Sequence, residues 1–278
     1  MMAKMSDVIR VGVLGAGGRM GREICRSVTQ DTDLELVAAV DPRFAGIDIG
    51  QVAGPDVAGL DIAGDIEALS RGGADVAIDF TIAESTLRAM DWCAVNGVHM
   101  VVGTTGLGDD DMQHAMTLFE DSNANCLVAS NFAVGAVLMN RFVEMAAKYM
   151  DGAEVIEIHH DQKVDAPSGT ALRLAESIAH GASLGVRNGR SFGMDNTQRH
   201  VVEGVRGGAA DGGIRIHSLR IPGMVAHHEV VFGSVGQSLT IRHDAFDRTS
   251  FMPGVLIATK AVRERRGLTI GLDSLLGI

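Results

Sequence analysis

Val8-Ile9-Arg10-Val11-Gly12-Val13-Leu14-Gly15-Ala16-Gly17-Gly18-Arg19-Met20-Gly21 and, after one helix-like segment, Leu34-Glu35-Leu36-Val37-Ala38-Ala39-Val40-Asp41 decide the fold. The first apolar run ends in Gly15, and Met20, Ile24 and Val28 then recur at four-residue spacing from Arg19 to about Thr29. Strand, glycine turn, helix and strand make a βαβ unit, the start of a parallel sheet. The glycine turn sits where a dinucleotide fingerprint sits. There the backbone needs positive φ and must come close to a pyrophosphate held by free helix N–H groups. The spacing is not a strict GxGxxG: Met20 occupies the third slot and the glycine falls at Gly21. Asp41, closing the second strand, is the residue type that hydrogen-bonds adenine-ribose hydroxyls and favours NAD. Arg43, two residues on, is either a solvated loop charge or a grip for a 2′-phosphate. NAD and NADP therefore both stand.

The alternation continues through Asp75–Phe80, a helix over Glu84–Asn96 stopped by Gly97, Val98–Gly103, a helix near Asp109–Asp121, and Cys126–Phe132. The strand ends Asp79-Phe80-Thr81, Gly103-Thr104-Thr105 and Ser130-Asn131-Phe132 are each followed by polar or glycine residues. Ligands of an open α/β sheet bind at those carboxyl ends. An apolar-rich helix from Val134 to Met150 leaves this region, and the pattern changes. Glu154–His160 reads as a strand and Ser168–His180 as a helix. Gly181–Gly213 is polar and glycine-rich without a clear period, and a loop of that length is usually functional or mobile. Gly213–Leu219, His228–Phe232 and Ser238–Ile241 read as strands on short turns, which predicts a largely antiparallel sheet. Ser250–Arg266 reads as a helix that returns to the first domain.

Composition narrows the function. The chain has 278 residues, 46% apolar and 21% charged, enough for two folded domains. Only 4% of residues are aromatic, with Trp92 and Tyr149 the single Trp and Tyr, which argues against a stacking platform for single-stranded nucleic acid. The net charge of −11 excludes a generally basic, phosphate-seeking surface, so no nucleic-acid partner is expected. That charge is uneven: residues 1–130 carry −12 and residues 131–278 carry +1, and eight of the ten histidines lie between His159 and His243. A site for an anionic small molecule belongs in the second part. Cys25, Cys93 and Cys126, an odd number without CxxC spacing, read as small core residues of a protein in a reducing compartment. No run reaches the ~20 apolar residues of a membrane span and no secretory signal pattern opens the chain. The expected location is cytoplasmic, with no membrane partner.

Glu157-Ile158-His159-His160-Asp161-Gln162-Lys163-Val164-Asp165-Ala166-Pro167-Ser168-Gly169-Thr170 is the most informative stretch. A strand runs into two histidines, a short loop carries a lysine, and Ser-Gly-Thr opens a helix. Such a helix start offers free N–H groups and two hydroxyls to a carboxylate. The histidines titrate near neutral pH, and Lys163 supplies a cation or a proton. Only four of the 24 Lys and Arg residues are lysines, and arginine cannot release its proton, so a lysine here points to a proton donor. Consecutive strand residues face opposite ways, so His159 and His160 share a site only if the strand ends between them. A second cluster, His227-His228-Glu229, lacks HExxH or His-plus-Cys spacing, and no metal is expected.

Together the Gly15–Gly21 loop, Asp79-Phe80-Thr81, Gly103-Thr104-Thr105-Gly106, Ala129-Ser130-Asn131-Phe132 and, above all, His159-His160 through Lys163 to Ser168-Gly169-Thr170 resemble the 4-hydroxy-tetrahydrodipicolinate reductase (dihydrodipicolinate reductase) family. The likeness spans essentially the whole chain. It implies a Rossmann-like parallel-sheet domain, residues 1–132 completed by 243–278, and an α+β substrate-binding and oligomerisation domain over 133–242 with a mostly antiparallel sheet. It further implies a homotetramer, a small dicarboxylate substrate and NADH or NADPH as reductant. Cofactor contacts would come from Gly15, Ala16, Gly17, Gly18, Arg19, Met20, Asp41, Phe80, Gly103, Thr104, Thr105, Ala129, Ser130, Asn131 and Phe132. Substrate contacts would come from His160, Lys163, Gly169 and Thr170, with Ser168 added by its place at the helix start. His159 would be the acid/base residue and Lys163 the proton donor. The family often has Arg directly after the acidic residue, where this chain has Pro42, so a 2′-phosphate grip falls to Arg43. The family's Gly-Glu-His appears as Ala226-His227-His228.

Two rival readings share parts of this pattern. Another two-domain NAD(P) oxidoreductase, for an amino acid or a sugar, would keep the glycine loop but has no use for the histidine, lysine and Ser-Gly-Thr cluster. A non-catalytic dinucleotide sensor would carry a DNA- or partner-binding segment, which the sequence does not display.

Overall fold

The computed structural model describes residues 8–185, 192–193 and 195–278. Strand β1 (Ile9–Leu14), helix α1 (Arg19–Gln30), β2 (Leu34–Val40), β3 (Val76–Asp79), α2 (Ala83–Asn96), β4 (His99–Val102), α3 (Asp109–Glu120) and β5 (Cys126–Val128) alternate as the hydrophobic pattern predicts. After α4 (Val134–Ala147) come β6 (Gly152–His159), α5 (Gly169–Ser183), β7 (Gly208–Ala209), β8 (Arg215–Arg220), β9 (Ala226–Ser234) and β10 (Gln237–Ala245). Helix α6 (Met252–Ala261) and β11 (Leu268–Ile270) complete the larger elements. Two compact units result, Met1–Val134 with Arg248–Gly277, and Gly135–Asp247.

The first unit is built on a six-stranded sheet in the order β11-β5-β4-β3-β1-β2, parallel throughout. Every residue of β1 except Arg10 is buried, as in a strand covered on both faces. Helix α1 buries Gly21, Ile24, Cys25 and Val28, a stripe at helical spacing, and α2 ends at Gly97 in the left-handed conformation, φ +71°, the usual helix stop. Leu69, Met90, Met100 and Phe119 are fully buried in the core beside the sheet. Strand β11 was not foreseen, because three residues carry no readable period. A single buried side chain holds the approach to it in place: Asn125 donates to the Val262 and Arg263 carbonyls at 2.9 and 3.0 Å and accepts from Gly267 N–H at 3.2 Å. The predicted helix over Ser250–Arg266 is shorter, α6 with one-turn 3-10 segments on either side.

The second unit has a five-stranded sheet in the order β10-β9-β6-β8-β7. Three pairings are antiparallel, but β6 runs parallel to β8, so the sheet is mixed, mostly antiparallel. A parallel neighbour needs a crossover, which the chain between β6 and β8, including α5, supplies. Along β6 the buried residues alternate as Ala153, Val155, Glu157 and His159, and Val155 meets Val143, Leu174, Ile178, Val230 and Phe232 in the core. The stretch predicted as loop from Gly181 to Gly213 departs from expectation at both ends. Helix α5 continues through Gly181–Ser183, since Gly181 packs on α4 so closely that a Cβ would lie 2.1 Å from the Glu144 carbonyl oxygen. At the other end lie β7 and a turn over Asp211–Gly213; residues 186–191 and 194 of that stretch lie outside the described residues. Among the described residues no helix is long and apolar enough to cross a membrane.

Candidate functional site

The glycine turn follows β1. Gly15 adopts φ +75°, its carbonyl accepts from Gly18 N–H at 2.9 Å, and Gly18 caps α1 without a side-chain bond to its amides. A Cβ would lie 3.1 Å from the Gly15 oxygen at Gly18 and 2.1 Å from it at Gly21. The glycines that this turn needs are therefore Gly15, Gly18 and Gly21, in keeping with a motif whose last glycine falls one residue beyond Met20. Gly17 serves a different contact, for a Cβ there would lie 2.2 Å from the Phe44 ring. Ala16 is buried, Met20 half-buried and Arg19 exposed.

A cleft of about 730 Å³ opens beside this turn, lined among others by Gly15, Gly18, Asp41, Arg43, Phe80 and Arg88. Asp41 Oδ1 accepts from Arg43 N–H at 3.1 Å and from Arg43 Nε at 3.4 Å, while its buried Oδ2 has no partner. A buried acceptor without a donor is costly, and a ribose hydroxyl would satisfy it. The Arg43 side chain is 76% exposed, with its guanidinium 5.9 Å from the Phe44 ring centroid.

At the carboxyl ends of β3 to β5 the predicted cofactor residues meet. Buried Asp79 accepts from Thr81 N–H at 2.7 Å, Thr81 Oγ1 at 2.6 Å and Thr104 Oγ1 at 3.2 Å. Burial pushes its carboxyl above the usual range, and the threonine bonds oppose that. A Cβ at Gly103 would lie 2.1 Å from the Phe80 ring and would displace it, and Phe80 stands 5.3 Å from Phe132, centroid to centroid. Buried Ala129 donates its N–H to the Val102 carbonyl at 3.0 Å, and Asn131 Oδ1 accepts from Ala133 N–H at 2.9 Å. Thr105 and Ser130 are exposed. An orphaned acceptor, a glycine cradle and a helix N-terminus together fit a nicotinamide dinucleotide.

In the second unit β6 ends at His159, so His159 is buried and His160 exposed. His159 Nδ1 bonds Glu157 Oε2. Glu157 is fully buried, and Arg220 grips it with two bonds of 2.9 and 3.0 Å. Burial pushes the Glu157 carboxyl up, but bonds from Arg220, Ser218 and His159 outweigh it and hold the group below its ordinary value. For the His159 ring, burial lowers the pKa, and Glu157 opposes this without reversing it. Ser168 caps α5: its Oγ accepts from Ala171 N–H at 3.2 Å and lies 3.1 Å from His228 Nε2. Burial pushes His228 down to about 4, so the ring that meets the serine hydroxyl is neutral near pH 7. With that hydroxyl engaged, the groups left for an anion at this helix start are the first-turn amides of Gly169 and Thr170 and the Thr170 hydroxyl. Lys163 Nζ pairs with both Asp165 oxygens, at 2.8 and 2.9 Å.

Two family models match this chain, one described as the N-terminus of dihydrodipicolinate reductase over residues 9–132 and one as its C-terminus over residues 135–276. The chain belongs to the dihydrodipicolinate reductase family. A 4-hydroxy-tetrahydrodipicolinate reductase of Desulfitobacterium hafniense is 44% identical over 270 residues, covering 96% of this chain and 98% of the relative. A dipicolinate-bound dihydrodipicolinate reductase from Paenisporosarcina sp. TG-14 superposes with a TM-score of 0.82 at 39% identity, over 96% of this chain and 99% of that one. An amine dehydrogenase from Mycobacterium smegmatis shares the fold alone, with a TM-score of 0.63 at 12% identity over 95% of each chain.

Glu157 and Arg220 escaped the sequence reading. A signal for Glu157 was present, since it stands two residues before His159 and shares its strand face. Arg220 had none, because its place beside Glu157 depends on β8 lying next to β6. Of the second histidine pair, His228 joins the cluster, edge-on to His159 at 5.3 Å. His227 turns to the other face and bonds Asp244 at 2.7 Å.

Proposed function

We propose that this chain reduces 4-hydroxy-tetrahydrodipicolinate to tetrahydrodipicolinate with NADH or NADPH, releasing water, in diaminopimelate and lysine biosynthesis. The observation that carries the reading is the cluster of His159, Glu157, Ser168 and His228 at the start of α5, with Lys163 on the adjoining loop. The substrate is a cyclic dicarboxylate with a C=N bond and a hydroxyl. Overall, water leaves, a hydride and a proton are added, and charge balances. The bound dinucleotide supplies the hydride.

Residues Gly15, Ala16, Gly17, Gly18, Arg19 and Met20 would hold its pyrophosphate, and Asp41 would accept from a ribose hydroxyl. Arg43 meets a 2′-phosphate when NADPH is used. Phe80, Gly103, Thr104, Thr105 and Ala129 through Phe132 shape the nicotinamide end. On the substrate side the amides of Gly169 and Thr170 hold one carboxylate, with Ser168 fixing the helix start that presents them. His160 and Lys163 supply positive charge for the other. His159 exchanges a proton as acid/base, and Lys163 gives up its Asp165 partner to deliver one. The enzyme is a cytoplasmic homotetramer assembled on the second sheet, whose face opposite Val155 carries half-buried Ile156, Ile158 and Val231. Following NADH and NADPH oxidation with substrate made in situ from pyruvate and aspartate semialdehyde by the preceding synthase tests the activity. Absence of oxidation with either cofactor overturns it.

A further inference from the structure

We infer that Glu157 is a positioning residue for His159, held in that role by Arg220, so that the imidazole presents Nε2 to the substrate. The inference rests on the reductase reading above and adds a part to it. Period-two geometry puts both side chains on one face of β6. A fully buried carboxylate persists only when paired and hydrogen-bonded, and Arg220 provides the pairing through two bonds of 2.9 and 3.0 Å. The same guanidinium donates to the Asp165 carbonyl at 2.6 Å, tying the strand pair to the loop that carries Lys163. An ionised carboxylate accepts only, so the bonded ring nitrogen, Nδ1, must carry the proton and Nε2 is the one left for exchange. A partner of this kind fixes tautomer and ring orientation.

Among the described residues, the groups that face the His159 ring are Glu157 on its own strand, Arg220 on β8, His228 on β9 and Lys163 on the loop. Burial, Lys163 and Arg220 push its pKa down, while Glu157 pushes it up. Glu157→Gln keeps an acceptor and loses the charge. Its expected signature is a limb of the kcat–pH profile moved to lower pH and kcat reduced about 10–100-fold, with NADH affinity unchanged.

Removing one charge alone strands the other, so a second variant, Glu157→Met with Arg220→Met, replaces the pair by apolar side chains, a change that buried pairs often tolerate. Nitrogen NMR of labelled imidazole in that variant is expected to show His159 losing its preference for Nδ1–H. A Gln variant with the native pH profile and kcat overturns the inference, as does a double variant that keeps the Nδ1–H tautomer. Should the double variant not fold, the Gln variant decides. Should the native enzyme itself fail to oxidise either cofactor, the reductase reading falls, while the tautomer measurement still judges Glu157.

Discussion

Ser168 and His228, 60 residues apart in the chain, meet at 3.1 Å between Oγ and Nε2. Oγ also accepts from Ala171 N–H, which leaves the hydroxyl proton and one lone pair for the histidine, and the buried ring requires its neutral form.

That requirement makes stability depend on pH. Burial lowers the His228 pKa from 6.5 to about 4. Above pH 6.5 the ring is neutral in folded and unfolded chains alike. Between 6.5 and 4 only the unfolded chain takes up the proton, so stability falls with pH across that window, by about 3 kcal/mol from a shift of this size. Urea unfolding at several pH values checks it: a His228→Gln variant, which retains an acceptor for Ser168, should lose less stability than the native chain on acidification. Parallel losses would remove His228 as a cause.

Replacing Lys163 removes the proposed proton donor and half of the Asp165 pair. Lys163→Ala is expected to lower kcat by about 10²–10⁴, the range for a lost proton transfer. NADH binding, followed by fluorescence, should persist, since the residues assigned to the dinucleotide belong to the other unit. Near-normal turnover would take Lys163 out of the mechanism.

Gly21 faces backbone, not a movable side chain, at 2.1 Å from the Gly15 oxygen. Gly21→Ala should therefore cost about 1–3 kcal/mol of stability, as overpacking does, and raise KM for the dinucleotide. Gly169→Ala, where a Cβ would meet nothing within 4 Å, serves as the contrasting helix-start variant and should leave stability nearly unchanged.

Asp41 and Arg43 divide cofactor choice between them. Asp41→Ser removes the free buried Oδ2 and should cost NADH about 10-fold or more in kcat/KM, the value of a hydrogen bond to a charged group. Arg43→Ala should weaken NADPH more than NADH. Measuring kcat/KM for both cofactors in both variants decides this, and an unchanged ratio in either would contradict the assignment.

Much of this was readable in advance. The βαβ opening, the strand ends Phe80, Gly103 and Phe132, and the run from His159 to Thr170 are local signals, carried by periodicity and by glycines that the turns require. The exact glycine register was not, because the packing of α1 over Gly15 selects Gly21 and the ring of Phe44 selects Gly17. Nor was the contact of the Ser168 hydroxyl with His228, which depends on β9 lying next to β6.

By itself the sequence determined the order of the longer elements, the two-part organisation and most residue types at both sites, since these depend on neighbours along the chain. The tertiary structure alone decided that Arg220 reaches Glu157 across 63 residues and that Asn125 clasps the Val262 carbonyl across 137. The first follows from strand order and register, where a one-residue slip would turn Arg220 to the opposite face; the second follows from the return of the chain after α6 to the edge of the first sheet.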